Sequence, residues 1–159
     1  MKMVTSDVAK LAERLRTSGL TLSVAESCTG GLISSMLTEL PGASEFFLGS
    51  AVTYSNDSKV KILSVNPSTL KEHGAVSGET AAEMAVGVRT AFGTDISASV
   101  TGIAGPSGAT ESKPLGLVFI AVFDGVDLKV IENRFKGSRK DIQKAAAKKV
   151  IETVSELVS

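Results

Sequence analysis

Leu115-Gly116-Leu117-Val118-Phe119-Ile120-Ala121-Val122-Phe123, followed by Asp124-Gly125, is the stretch on which the fold turns. The run is nearly all apolar but only about half a membrane span long. It suits a strand buried on both faces, as in sheets covered by helices above and below. Asp124-Gly125 then signals a hairpin into a second strand over 128–135.

Upstream of this hairpin, strand patterns alternate with helical ones. Thr5 or Ser6 is a candidate cap for a helix whose stripe is Val8, Leu11, Ala12 and Leu15, ending at Gly19. Residues 21–27 read as a strand, Thr29-Gly30-Gly31 as a turn, and 32–40 as a helix stopped by Pro41-Gly42. A second strand follows over 49–55, with short helices over 57–63 and 67–72. Ser77 caps a helix over 78–92, residues 95–100 form a third strand, and 101–114 a loop. Ser138 with Asp141 starts the last helix, which carries Ile142, Ala146, Val150, Val154 and Leu157 on one face. The expectation is an α/β chain: one domain over residues 1–159, a three-layer α/β/α sandwich with a mixed, mostly parallel sheet of about five strands.

Composition removes several function classes. Lys plus Arg is 17 and Asp plus Glu is 17, so no net positive charge supports a broad nucleic-acid surface. One Cys and one His leave no disulfide within the chain and no Cys- or His-rich metal site. The first residues, Met-Lys-Met-Val-Thr-Ser-Asp, contain no apolar signal core. The reading is a cytoplasmic protein with a small-molecule partner, no nucleic acid, no membrane, no cofactor and no metal.

Three segments carry candidate chemistry. In Glu26-Ser27-Cys28-Thr29-Gly30-Gly31 a strand runs into a glycine turn and then a helix, at the sheet edge where α/β proteins bind ligands. Ser27 is a nucleophile or a plain helix cap. Cys28 competes as nucleophile, yet strand alternation points it away from Ser27, and a lone Cys is most often buried. Glu26 orients a neighbour, accepts a substrate hydroxyl, or is solvated. His73, the single His, reads as an ordinary helix end rather than a base. Lys59 follows the second strand, with Tyr54 at that strand's end. To act as base it must be neutral, against a usual pKa of about 10.4, which requires burial. Thr101-Gly102-Ile103-Ala104-Gly105-Pro106-Ser107-Gly108 permits close backbone approach and an anion nest. Lys113 and Arg139 are candidate cations for a phosphate.

Taken in order, Ala25-Glu26-Ser27-Cys28-Thr29-Gly30-Gly31, Val52-Thr53-Tyr54-Ser55-Asn56 with Lys59, Gly74-Ala75-Val76-Ser77, and Thr101-Gly102-Ile103-Ala104-Gly105-Pro106 resemble the CinA C-terminal domain family, in its stand-alone form. That family includes nicotinamide mononucleotide amidase. The resemblance implies the α/β/α fold and metal-free Ser/Lys hydrolysis of nicotinamide mononucleotide to nicotinic acid mononucleotide and ammonia. It implies Ser27 as nucleophile, Lys59 as base, Tyr54 as its support and Thr101 as a further active-site hydroxyl. Substrate contacts are expected from Glu26, Thr29, Gly30, Gly31, Gly102, Gly105 and Arg139, with the oxyanion held by N–H groups near Thr29 to Gly31 or by Thr101. A homodimer accords with the resemblance, though no apolar stripe in the sequence demands one. The chain departs from the family's pattern at Ala109, Ser112 and Gln143, where the family often has Gly, an acidic residue and a second Arg. The alternative is a non-catalytic pyridine-nucleotide-binding or regulatory domain of the same fold.

Overall fold

A computed structural model describes residues 2–159, with side chains described from Ser6 onward. Five strands form one sheet: β1 (Leu22–Glu26), β2 (Phe47–Val52), β3 (Ile96–Gly102), β4 (Leu117–Phe123) and β5 (Leu128–Arg134), in the order β2-β1-β3-β4-β5. β1 pairs in parallel with β2 and β3, whereas β4 is antiparallel to both β3 and β5. Four strands therefore point one way and β4 alone runs against them. The hairpin read from Asp124-Gly125 supplies that mixture.

Helices α1 (Lys2–Ser18), α2 (Leu32–Thr38) and α6 (Arg139–Leu157) cover one face. Their Leu11, Leu15, Ile33, Leu37, Ile142 and Val150 pack on Leu22, Val24, Ala98 and Ile120. Helices α3 (Asn56–Leu63), α4 (Pro67–His73) and α5 (Gly78–Phe92) lie on the other side, where Met84 and Val88 meet Ala25, and Ala81 and Ala85 meet Ala121. Five residues of β4 are buried, as its apolar run requires.

The α5 face is partly polar. Ser97 and Ser99 donate to the carbonyls of Ala85 and Ala81, and Ser23 donates to that of Val88. These short side chains keep the helix close to the sheet and leave no hydroxyl orphaned. α5 also lies tight against α3: a Cβ on Gly87 would sit 1.9 Å from the Leu63 carbonyl oxygen.

Two local expectations need correction. α1 begins at Lys2, so Thr5 and Ser6 sit inside it rather than capping it, and the Thr5 side chain lies outside those described. A short 3-10 turn over Ala43–Glu45 joins α2 to β2, a segment with no periodicity to announce it. The Ser77 cap and the Ser138/Asp141 capping box are both present. No helix among the described residues is long and apolar enough to cross a membrane.

Candidate active site

The carboxyl ends of β1 and β3 open onto a cleft of about 330 Å³. Alternation along β1 sends Leu22 and Val24 to the α2 side, so Ser23, Ala25 and Ser27 face α3 and α5. Ser27 is 8% exposed and lines the cleft.

Lys59 approaches from α3. The helix starts at Ser55, whose hydroxyl accepts the Ser58 N–H, and Lys59 follows in the first turn. Helical side chains lean back toward the N-terminus, and here that carries the amine under the β2–α3 connection. Lys59 is 1% exposed, and its Nζ lies 3.0 Å from Ser27 Oγ, 2.7 Å from the Thr53 carbonyl and 3.5 Å from the Tyr54 carbonyl. Burial holds its pKa below the usual lysine value. A neutral amine has two N–H groups and one lone pair. The two carbonyls take the N–H groups, which leaves the lone pair for the Ser27 O–H. This is the geometry of a nucleophile with its base.

The rest of the cleft is polar but contains no carboxylate. The loop after β3 contributes Ala104, Gly105, Ser107 and Gly108, whose N–H groups bond to no other described residue. Gly105 and Gly108 have φ of +77° and +93°, which lets this backbone curl around a ligand. Arg139, the first residue of α6, stands at the mouth. Its guanidinium donates to the Gly105 carbonyl at 2.7 Å and to the Tyr54 hydroxyl at 3.1 Å. A larger groove of about 390 Å³ lies between α3 and α5, but its lining offers no nucleophile with a base.

Residues 5–158 match the family model described as the CinA C-terminal domain. The chain belongs to the CinA C-terminal domain family. A CinA-like protein of Syntrophomonas wolfei is 49% identical over 89% of this chain, and one of Shewanella sp. (strain ANA-3) is 54% identical over 76%. These alignments span 34% and 29% of the two relatives, so the chain matches about a third of the length of each. A CinA superfamily protein of Klebsiella pneumoniae superposes with a TM-score of 0.94 at 30% identity, covering 98% of this chain and 97% of that one. The competence/damage inducible protein CihA of Agrobacterium tumefaciens gives 0.90 at 39% identity, covering 96% of both.

Of the residues singled out in sequence, the CinA domain brings Ser27, Cys28, Tyr54, Lys59, Thr101, Gly102, Gly105 and Arg139 to one cleft. Glu26, Thr29, Gly30 and Gly31 are not among its lining residues. Glu26 is wholly buried and faces α2, where it accepts the N–H groups of Ile33 and Ser34. The period-two rule predicts this, because Glu26 continues the Leu22, Val24 side of β1. The Thr29 hydroxyl is spent on Glu26, and the Gly30 N–H on the Ser27 carbonyl. The Thr101 hydroxyl donates to the Ala75 carbonyl. Near Ser27, the N–H groups of Cys28 and Thr29 have no acceptor among the described residues.

Tyr54 and Lys113 depart from expectation, whereas His73 and Cys28 follow it. Tyr54 is 63% exposed; it is the Tyr54 carbonyl, not the hydroxyl, that meets Lys59. Lys113 donates to the His73 carbonyl at the end of α4 and does not line the cleft. His73 lies on the surface within 4 Å of Glu72 and Glu79, away from Ser27. Cys28 is 5% exposed and packs in the α2-side core, and burial pushes its thiol up to about 12. A thiol held protonated by burial is disfavoured as the nucleophile beside Ser27. Sequence reasoning did not single out Thr53, whose carbonyl anchors the Lys59 amine, because any residue type supplies a carbonyl. It read Gln143 only as a missing Arg; its amide donates to the Cys28 carbonyl at 3.0 Å.

Proposed function

We propose that this chain hydrolyses the carboxamide of nicotinamide mononucleotide, giving nicotinic acid mononucleotide and ammonia. The observation that carries the reading is the 3.0 Å contact between Ser27 Oγ and a buried Lys59 amine whose N–H groups are taken by carbonyls. The substrate class comes from the family resemblance. The single guanidinium at the cleft mouth and the unpaired N–H groups of the 104–108 loop suit a phosphate.

Neutral Lys59 takes the Ser27 proton as Oγ attacks the carboxamide carbon. The N–H groups of Cys28 and Thr29 are the donors nearest in sequence for the oxyanion. Protonated Lys59 then delivers its proton to the amide nitrogen, the C–N bond breaks, and ammonia leaves. A water attacks the acyl-Ser27 ester as Lys59 takes its proton; Lys59 then returns that proton to Ser27 Oγ as the ester C–O bond breaks, releasing the carboxylic acid and restoring neutral Lys59.

The test is ammonia release from nicotinamide mononucleotide by the purified protein with EDTA present, beside Ser27→Ala and Lys59→Ala. The expected result is turnover in the wild type, indifferent to EDTA, and a fall of about 10³-fold or more in either variant. Activity retained in folded Ser27→Ala overturns the nucleophile assignment. One observation favours a second reading, a nucleotide-binding or regulatory domain: α6 offers the cleft one Arg, because Gln143 is committed to Cys28. Nucleotide binding without turnover in the wild type selects that reading.

A further inference from the structure

We infer that Glu26 is a positioning residue that holds the Ser27–Lys59 pair in register. The inference rests on the reading of Ser27 as a nucleophile. Glu26 is the last residue of β1 and is 0% exposed. Each carboxylate oxygen accepts two hydrogen bonds. Oε1 takes the Thr29 hydroxyl at 2.7 Å and the Ile33 N–H at 3.0 Å, and Oε2 takes the Ser34 N–H at 3.0 Å and the Ser34 hydroxyl at 2.6 Å. None of these partners is a cation.

A fully buried carboxylate is a costly way to start a seven-residue helix. An ordinary Ser or Asp at position 31 would satisfy the same N–H groups near solvent, yet position 31 is a Gly at φ +103° with no side-chain cap. What Glu26 does that a local cap cannot is join the two ends of the turn on which Ser27 sits. Strand residue 26 is tied to residues 29, 33 and 34, so the intervening turn is closed across its base.

The same residue is tied to the segment after β2 that anchors the base. Its carbonyl accepts the Thr53 N–H at 2.9 Å, and the Thr53 carbonyl holds Lys59 Nζ at 2.7 Å. On the other side of the sheet, Ser34 Oγ is also hydrogen-bonded to Ser50 Oγ on β2. The side chain and main chain of Glu26 therefore tie the end of β1, beside the nucleophile, to β2 and to Thr53 just after it, whose carbonyl anchors the base carried by α3. A misplacement of about 1 Å in such a pair costs about 10²-fold in rate.

The experiment compares wild type with Glu26→Ala, Glu26→Gln and Ser34→Ala. It reads kcat and KM for nicotinamide mononucleotide, and separately the rate at which a fluorophosphonate labels Ser27, followed by intact mass. Expected for Glu26→Ala is a fall of about 10²-fold in both kcat and labelling, with KM within about threefold of wild type. Ser34→Ala loses a half-buried hydroxyl and keeps the buried carboxylate partnered; it falls several-fold in the same two readouts. Glu26→Gln lies between, and these two variants decide the matter if Glu26→Ala does not fold. A raised KM with kcat preserved overturns the inference in favour of substrate contact. A lowered Tm with unchanged kcat and labelling overturns it in favour of a purely structural role. If the wild type labels at Ser27 but releases no ammonia, the amidase reading fails alone, and the labelling rates still judge Glu26.

Discussion

Arg139 reaches the Tyr54 hydroxyl across the mouth of the cleft, joining the first turn of α6 to the connection between β2 and α3. The same guanidinium holds the Gly105 carbonyl, so three separate pieces of chain meet at one side chain. A planar fork with several donors can keep such a junction while still offering N–H groups to an anion, which an ammonium cannot do as well.

Arg139→Ala is therefore expected to raise KM for the nucleotide about 10- to 100-fold, the value of a hydrogen bond to a charged group, with a smaller effect on kcat. Tyr54→Phe removes only the exposed hydroxyl and leaves the carbonyl beside Lys59, so its kcat stays within a few-fold of wild type. Steady-state kinetics on the two variants checks both statements; a collapse of kcat in Tyr54→Phe would give the hydroxyl a chemical role.

Lys59 sets the pH behaviour. Its folded-state pKa is lowered by burial, so between that value and the ordinary lysine value the unfolded chain carries a proton that the folded chain has shed. Lys59 therefore makes stability rise as pH climbs through that window, and at lower pH the full cost of burying the charge is borne. Activity moves the same way, because only neutral Lys59 accepts the Ser27 proton. The expected kcat/KM profile has a rising limb below the usual lysine pKa. A profile with no such limb, or Lys59→Met retaining turnover, would remove the base.

Thr53 separates main-chain from side-chain function. Its carbonyl holds the Lys59 amine, while its hydroxyl is buried without a partner among the described residues. Thr53→Val removes the orphan and keeps the carbonyl. The expected outcome is activity close to wild type and stability higher by about 1 kcal/mol, measured by urea denaturation. A tenfold loss of kcat would mean that the hydroxyl serves the reaction.

Gly87 is expected to behave contrary to helix propensity. Ala in mid-helix is favoured over Gly by about 1 kcal/mol. Here the new Cβ would sit 1.9 Å from a backbone oxygen of α3, so one helix must move, at about 1–3 kcal/mol for overpacking. The balance is unfavourable, and because α3 carries Lys59, kcat falls along with Tm. Thermal melts and turnover of Gly87→Ala measure the two together.

Much of this fold can be read from local chemistry. The limits of α5 follow from Ser77 and Gly93, and the turn after β4 from Asp124-Gly125, because caps and tight turns are fixed by residues adjacent in sequence. The site is legible in a different degree. Ser27 and Lys59 are 32 residues apart, and no local rule sets their separation; the ordered motifs point to the pair, while the 3.0 Å contact depends on the register of β1 and β2. Glu26 was readable in principle from alternation along β1. A carboxylate at a strand end reads equally as a neighbour's support or a substrate contact, and what decides between them is the uncapped start of α2, which forms only in the fold. The commitment of Gln143 to the Cys28 carbonyl spans 115 residues and has no sequence signal.

The hydrogen bonds that bring Ser27 and Lys59 together come from β1, β3, α3 and the connection between β2 and α3, and residues 103–116 contribute none of them. That loop makes the opposite wall of the cleft, the one that a nucleotide's sugar and phosphate would meet. On the proposed reading, bond cleavage and ligand choice are written in separable parts of the chain, and exchanging the loop would be a graft onto an intact reaction centre, changing what is cleaved without having to reinvent how.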